Sequence, residues 1–181
     1  MNQWQSKLRA GLMLLLSGSF VWCIPVQAED NVLFKGALVN APCTLRPGDE
    51  AIELSFGTLV NKFLYTNTRT PSQTFSLHLD DCDSAVATGV KLTLMGTEST
   101  ALPGLLALDA ASVARGVAVG METGAGQALP FNVQGSTTPL TQGNMTIALQ
   151  AYVQAEPAAK ANQGIVEGAF TATATFALEY Q

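Results

Sequence analysis

His78 is the single histidine of the chain, and Asp80, Asp81 and Asp83 follow it closely, so metal or acid–base chemistry is sought there first. Imidazole and carboxylates are common metal ligands and proton carriers. On a strand, however, His78 and Asp80 share one face while Asp81 and Asp83 point to the other. The His78 face is opposite Leu77 and Leu79, which turns it toward solvent. A Ser–His–Asp or Cys–His nucleophile would need that same lone imidazole. The glycines at 116, 120, 124 and 126 lie between expected strands, with no following helix whose N-terminus could hold a phosphate. The expectation is no catalytic residue, no metal, no cofactor, no small-molecule substrate and no enzymatic activity.

Three cysteines remain as possible chemistry, and the first leaves with a leader. Lys7 and Arg9 form a basic start, Leu8 to Ile24 is largely apolar, and Val26-Gln27-Ala28 puts small residues at −3 and −1 of a cleavage site. That layout is a secretory signal peptide cut between Ala28 and Glu29. Bulky Trp22 precedes Cys23 where a lipid-attachment signal takes a small residue. Cys43 and Cys82 then form an even pair in an exported chain, which reads as one disulfide. With 38 residues between the partners, a bridge stabilises by about 4 kcal/mol in the chain-entropy model.

Removing the leader leaves 153 of 181 residues, enough for one domain with a full core. Lys7 and Arg9 go with it, so seven basic residues face 14 acidic ones, a formal charge of −7. With no basic run, nucleic acid and anionic membrane surfaces have no electrostatic footing as partners.

The elements that would position these residues are strands. Apolar and polar residues alternate in Ile52–Leu54–Phe56, Phe75–Leu77–Leu79, Val90–Leu92–Leu94, Val117–Val119–Met121, and along Met145 to Val153. Leu129 and Phe131 bracket Pro130. In the final segment Phe170, Ala172, Ala174, Phe176, Leu178 and Tyr180 share one side. Period two with turn residues between the runs predicts an antiparallel sandwich. The one helical expectation is Leu105 to Ala114, with a loop or single turn over Ala155 to Asn162.

Both ends of the mature chain are unusual. The last residue, Gln181, ends an amphipathic strand, and Val32, Phe34, Gly36 and Leu38 alternate ahead of the first cysteine. Unpaired strands template association and are normally shielded. The N-terminal run reads equally as the first strand of its own sandwich or as an extension.

Phe34-Lys35-Gly36-Ala37-Leu38-Val39-Asn40-Ala41-Pro42-Cys43 resembles the start of type 1 and P-pilus subunits, with a glycine seven residues before the first cysteine. Phe75 to Cys82 looks like their second-cysteine strand. Leu105 to Leu108, Gly116 to Val119, Gly126 and Leu129 are similar to their middle segment, and Ala172 to Gln181 to their terminal strand with its penultimate tyrosine. Together these motifs span nearly all of the mature chain.

The resemblance to this chaperone–usher pilin family implies an incomplete immunoglobulin-like sandwich lacking its last strand. It divides the chain into a signal peptide (1–28), a donor-strand extension (29–41) and a pilin domain (42–181). It implies a periplasmic pilus chaperone, an outer-membrane usher and neighbouring pilin subunits as partners, and a place in a cell-surface fimbrium supporting adhesion. Val32, Phe34, Gly36 and Leu38 would be the donor face. Phe170, Ala172, Ala174, Phe176, Leu178 and Tyr180 would line the acceptor groove and meet the chaperone. Such strand addition takes affinity from backbone hydrogen bonds and register from alternating side chains. The ending looks slightly more like a minor adaptor's than a rod subunit's. The alternative is a secreted β-sandwich binding module, lectin- or adhesin-like, acting on its own. Family adhesins carry a further N-terminal receptor-binding domain and lack the extension.

Overall fold

A computed structural model of the chain describes residues 41–181. Within them lie strands β1 (Thr44–Leu45), β2 (Gln73–Cys82), β3 (Gly89–Met95), β4 (Val117–Thr123), β5 (Gln134–Pro139), β6 (Gly143–Ala155) and β7 (Thr175–Tyr180). Two short helices, α1 (Asn61–Asn67) and α2 (Pro157–Ala161), complete the set. The strands form two antiparallel sheets, ordered β1-β2-β6-β4 and β5-β3-β7.

One-sided burial makes the alternating runs into strands. Leu92 and Leu94 of one sheet meet Val117, Val119, Leu149, Ala151 and Val153 of the other in the main core. Each such side chain contributes roughly 1.5–3 kcal/mol when fully removed from water. A second cluster gathers Cys43, Leu79, Cys82, Val90 and Leu140 at the far end, where Cys43 and Cys82 are joined as a disulfide. At the opposite end α1 and α2 are tied together. Lys160 Nζ donates to Thr68 Oγ1, and the Ala155 N–H donates to the Thr68 carbonyl at 2.8 Å.

The structure corrects several expectations. Leu105 to Ala114 is not helical: the Leu106 N–H donates to the Val119 carbonyl at 2.8 Å and its own carbonyl accepts from Val119 at 2.9 Å, so the run is drawn onto a strand. Ile52 to Phe56 belongs to no strand, and Leu129 to Phe131 is irregular with Phe131 buried. The loop or single turn expected over 155–162 is the five-residue helix α2, with Pro157 at its first position, where the missing N–H costs nothing. Helix α1 was not expected; it buries only Leu64 and has no side-chain N-cap. Strand β5, a largely exposed edge of polar residues, was not expected either.

The phase of β2 also differs from a straight strand. Leu77 and Leu79 are buried, and so is Cys82, three positions on. Register slips between Leu79 and Cys82, and Asp81 has a left-handed φ of 53°. This bulge returns Cys82 to the inner face, where it reaches Cys43, and leaves Asp81 exposed.

Candidate functional site: an open strand edge

Strand β7 pairs on one side with β3, in the register Phe176 to Leu94, Leu178 to Leu92 and Tyr180 to Val90. Among the described residues its other edge has no partner strand. Its apolar side remains only partly covered. Phe170, Ala172, Phe176, Leu178 and Tyr180 are half-buried and Ala174 is exposed, although Phe176 and Leu178 touch the main core. Burial pushes the Tyr180 phenol pKa up.

A second unpaired run complements that edge. Residues 51–59 make no backbone-to-backbone hydrogen bond among the described residues, while Leu54, Phe56 and Leu59 pack partly against the core. Phe56 stacks on Phe170, which leads into β7. A hollow of about 880 Å³ opens beside this run, lined among others by Phe56, Leu59, Val60, Phe63, Leu64 and Pro71. Backbone without a backbone partner among the described residues, beside a half-covered apolar strip, is what an added strand satisfies.

The run is anchored at both ends. At its start, Arg46 makes a two-pronged ion pair with Asp80, Nε to Oδ2 at 2.9 Å and Nη2 to Oδ1 at 2.7 Å. Asp49 Oδ2 accepts the His78 backbone N–H at 2.6 Å and lies 2.9 Å from His78 Nδ1. The His78 face is therefore half-covered by the 46–50 loop instead of open to solvent. The Arg46 guanidinium holds the Asp80 carboxyl below its usual range, and the His78 backbone N–H does the same for Asp49. Asp83 caps a turn, accepting the Ala85 N–H at 2.9 Å. Among the described residues no three His, Cys, Asp or Glu side chains are grouped to hold a metal ion.

Beyond α1, Arg69 is bonded to buried Glu122, and its guanidinium lies 4.3 Å from the centre of the Tyr152 ring. Ser72 Oγ donates to the other Glu122 oxygen at 2.9 Å. Arg69 keeps the Glu122 carboxyl below its usual range. No periodicity marks this cluster, which is assembled from β4, β6 and the run before β2.

Of the residues singled out from sequence, the structure brings Cys43 to Cys82 and aligns Phe176, Leu178 and Tyr180 on one strand. Phe170, Ala172 and Ala174 precede regular β7, with the Thr171 carbonyl accepting the Asp109 N–H at 2.8 Å. Val32, Phe34, Gly36 and Leu38, and the Ala28–Glu29 cleavage point, lie outside the described residues.

The family model described as "Fimbrial protein" matches residues 32–181. The chain is 34% identical to the fimbrial-like protein YfcP of Escherichia coli strain K12, over 96% of this chain and 93% of the relative. It is 32% identical to the fimbrial adapter PapK of Escherichia coli, over 83% of this chain and 88% of PapK. Its fold is similar to the crystal structure of the P pilus rod subunit PapA, at a TM-score of 0.67 and 25% identity, covering 78% of this chain and 100% of that one.

Proposed function

Because the chain belongs to the fimbrial protein family, we propose that the free edge of β7 is the acceptor for a strand donated by another subunit. The protein is a structural subunit of a cell-surface fimbria, and its immunoglobulin-like sandwich associates with other pilus subunits. Val32, Phe34, Gly36 and Leu38 are the donor face that enters the next subunit. Before assembly a periplasmic chaperone fills the same groove, and the outer-membrane usher is where the exchange takes place. The role is structural and not enzymatic.

The observation that carries this reading is the pairing of two unused edges. Strand β7 and the 51–59 run both lack a backbone partner on the groove side among the described residues, and the apolar strip of β7 is only half-covered. Burying about four apolar donor side chains would stabilise the joint by on the order of 10 kcal/mol as an upper bound. Gly36 suits a close backbone approach, since it carries no Cβ.

Deletion of residues 29–39 tests it. The truncated subunit should still co-purify with its chaperone and still capture a peptide of residues 31–40, yet fail to insert into another subunit. Loss of the chaperone complex on truncation would show instead that the segment belongs to the chain's own fold.

A further inference from the structure

We propose that the helix-bearing end of the sandwich is a docking face for the disulfide end of a second copy of this chain, a contact made in addition to the strand laid along β7 and resting on that reading. Four large apolar side chains meet solvent at this end: Val60 (61% exposed), Phe63 (42%), Val113 (61%) and Val166 (49%). Hydrogen bonds draw them together. Asn61 Nδ2 donates to Glu167 Oε1 at 3.1 Å, and the Ile165 N–H donates to the Tyr65 hydroxyl at 3.2 Å. Val166 and Arg115 pair through their backbones at 3.0 and 3.1 Å, and the Val113 N–H donates to the Ala169 carbonyl at 2.8 Å. Clustered apolar exposure of this kind marks an interaction surface.

Chain length identifies the occupant. The chain runs from Ala169, which accepts the Val113 N–H at this end, through β7 to Tyr180 in the cluster around the disulfide. Every strand pair in both sheets is antiparallel. A strand added antiparallel to β7 therefore leaves the groove at the Thr175 end. In the donor copy, five residue steps separate Leu38 from Cys43, a reach of at most about 18 Å. The donor's disulfide end must then stand against the Val60, Phe63, Val113 and Val166 face.

Charge agrees with this pairing. Among the described residues Lys62, Arg115 and Lys160 at the helix end have no carboxylate in salt-bridge range, although Glu156 and Glu167 are also there. At the disulfide end Asp81 and Asp83 have no cation partner among the described residues. A second copy brings these two acids toward the unpaired cations, a rim contact that guides encounter and register more than it adds affinity.

The test compares two occupants of the wild-type groove, each displaced by excess labelled 31–40 peptide. One is the unlabelled peptide; the other is a whole copy whose own groove is already filled. The whole copy should leave about ten-fold more slowly than the peptide, equivalent to about 1.4 kcal/mol. Phe63→Asp with Val166→Asp in the acceptor should bring the whole copy to the peptide's rate and leave the peptide's own rate unchanged. Lys62→Glu with Arg115→Glu should speed loss of the whole copy, and Asp81→Lys with Asp83→Lys in the donor should slow it again. Equal rates for peptide and whole copy would overturn the docking face while leaving the groove intact. Failure of the peptide to bind at all would overturn the groove reading, and the docking with it.

Discussion

The rings of Phe56 and Phe170 stand 6.3 Å apart, centroid to centroid, with their planes 29° from parallel. One belongs to the 51–59 run and the other leads into β7, so this is a point at which the two walls of the proposed groove touch. An aromatic pair at that spacing is worth about 0.5–1.5 kcal/mol beyond its buried area. A double-mutant cycle of Phe56→Leu and Phe170→Leu should return a coupling in that range, read from urea unfolding of the peptide-filled subunit. Zero coupling would mean that the walls are held independently.

Phe176 is the most informative single position on β7. It pairs in register with Leu94, touches the core and remains half-buried, so an inserted strand would finish covering it. Phe176→Asp places an unpaired charge in that covered space, which is costly. Capture of both chaperone and 31–40 peptide should be lost, while Phe176→Leu should retain both. Wild-type peptide capture by Phe176→Asp would remove β7 from the acceptor role.

How much of this was legible in the sequence depends on which residues are buried on one side only. Leu77 and Leu79, and Val90, Leu92 and Leu94, alternate because one face of each strand meets the core, and period two reports that directly. In β4 the face of Ala118, Gly120 and Glu122 is buried as well as that of Val117 and Val119. The β2 bulge at Asp81 was not legible, since a one-residue slip leaves the composition unchanged while reversing the inward face for Cys82. Strand β5 is a polar, exposed edge, so it carries no apolar period to read. The Leu105-Leu106-Ala107-Leu108 run suggested a helix, but the backbone of Leu106 bonds to Val119, a partner distant in sequence. Of the expected groove, the β7 face was readable from Phe176, Leu178 and Tyr180. The opposite wall was read as an ordinary strand, because periodicity cannot show that a backbone lacks a partner.

Two carboxyls at the start of that wall give the subunit an acid-sensitive anchor. Asp80 is held below its usual pKa by Arg46, and Asp49 by the His78 backbone N–H. A lowered folded-state pKa means that the stabilisation is fully present above the unfolded carboxylate value of about 3.9. It is lost as pH falls through the lowered folded values. The urea midpoint of the peptide-filled subunit should therefore drop as pH falls below the ordinary carboxylate range, and Asp80→Asn should flatten part of that slope. An unchanged slope in Asp80→Asn would show that the Arg46 pair is too exposed to matter, as many surface pairs are.

Gly120 tests whether the outer face of the larger sheet is a fixed structure. It pairs in register with Tyr152, and a Cβ built on it would lie 2.2 Å from Cζ of that ring. Glycine within a strand ordinarily invites replacement, since alanine narrows the unfolded ensemble and stabilises by about 0.4–1 kcal/mol where it fits. Here the steric term opposes that gain. Tyr152 is buried, lies beneath the Arg69 guanidinium, and that guanidinium is bonded to Glu122, so the ring cannot swing away without disturbing the ion pair. Forcing extra volume into a packed site costs about 1–3 kcal/mol. Gly120→Ala should therefore destabilise the subunit by roughly that range in urea unfolding. Peptide capture should be unchanged, because Val119 and Met121, on the opposite side of β4, are the residues that face the core. Adding Tyr152→Ala should make the pair of substitutions less damaging than the sum of the two. A stabilising Gly120→Ala would mean that the Tyr152 ring moves freely and that the Arg69–Glu122 pair does not hold it.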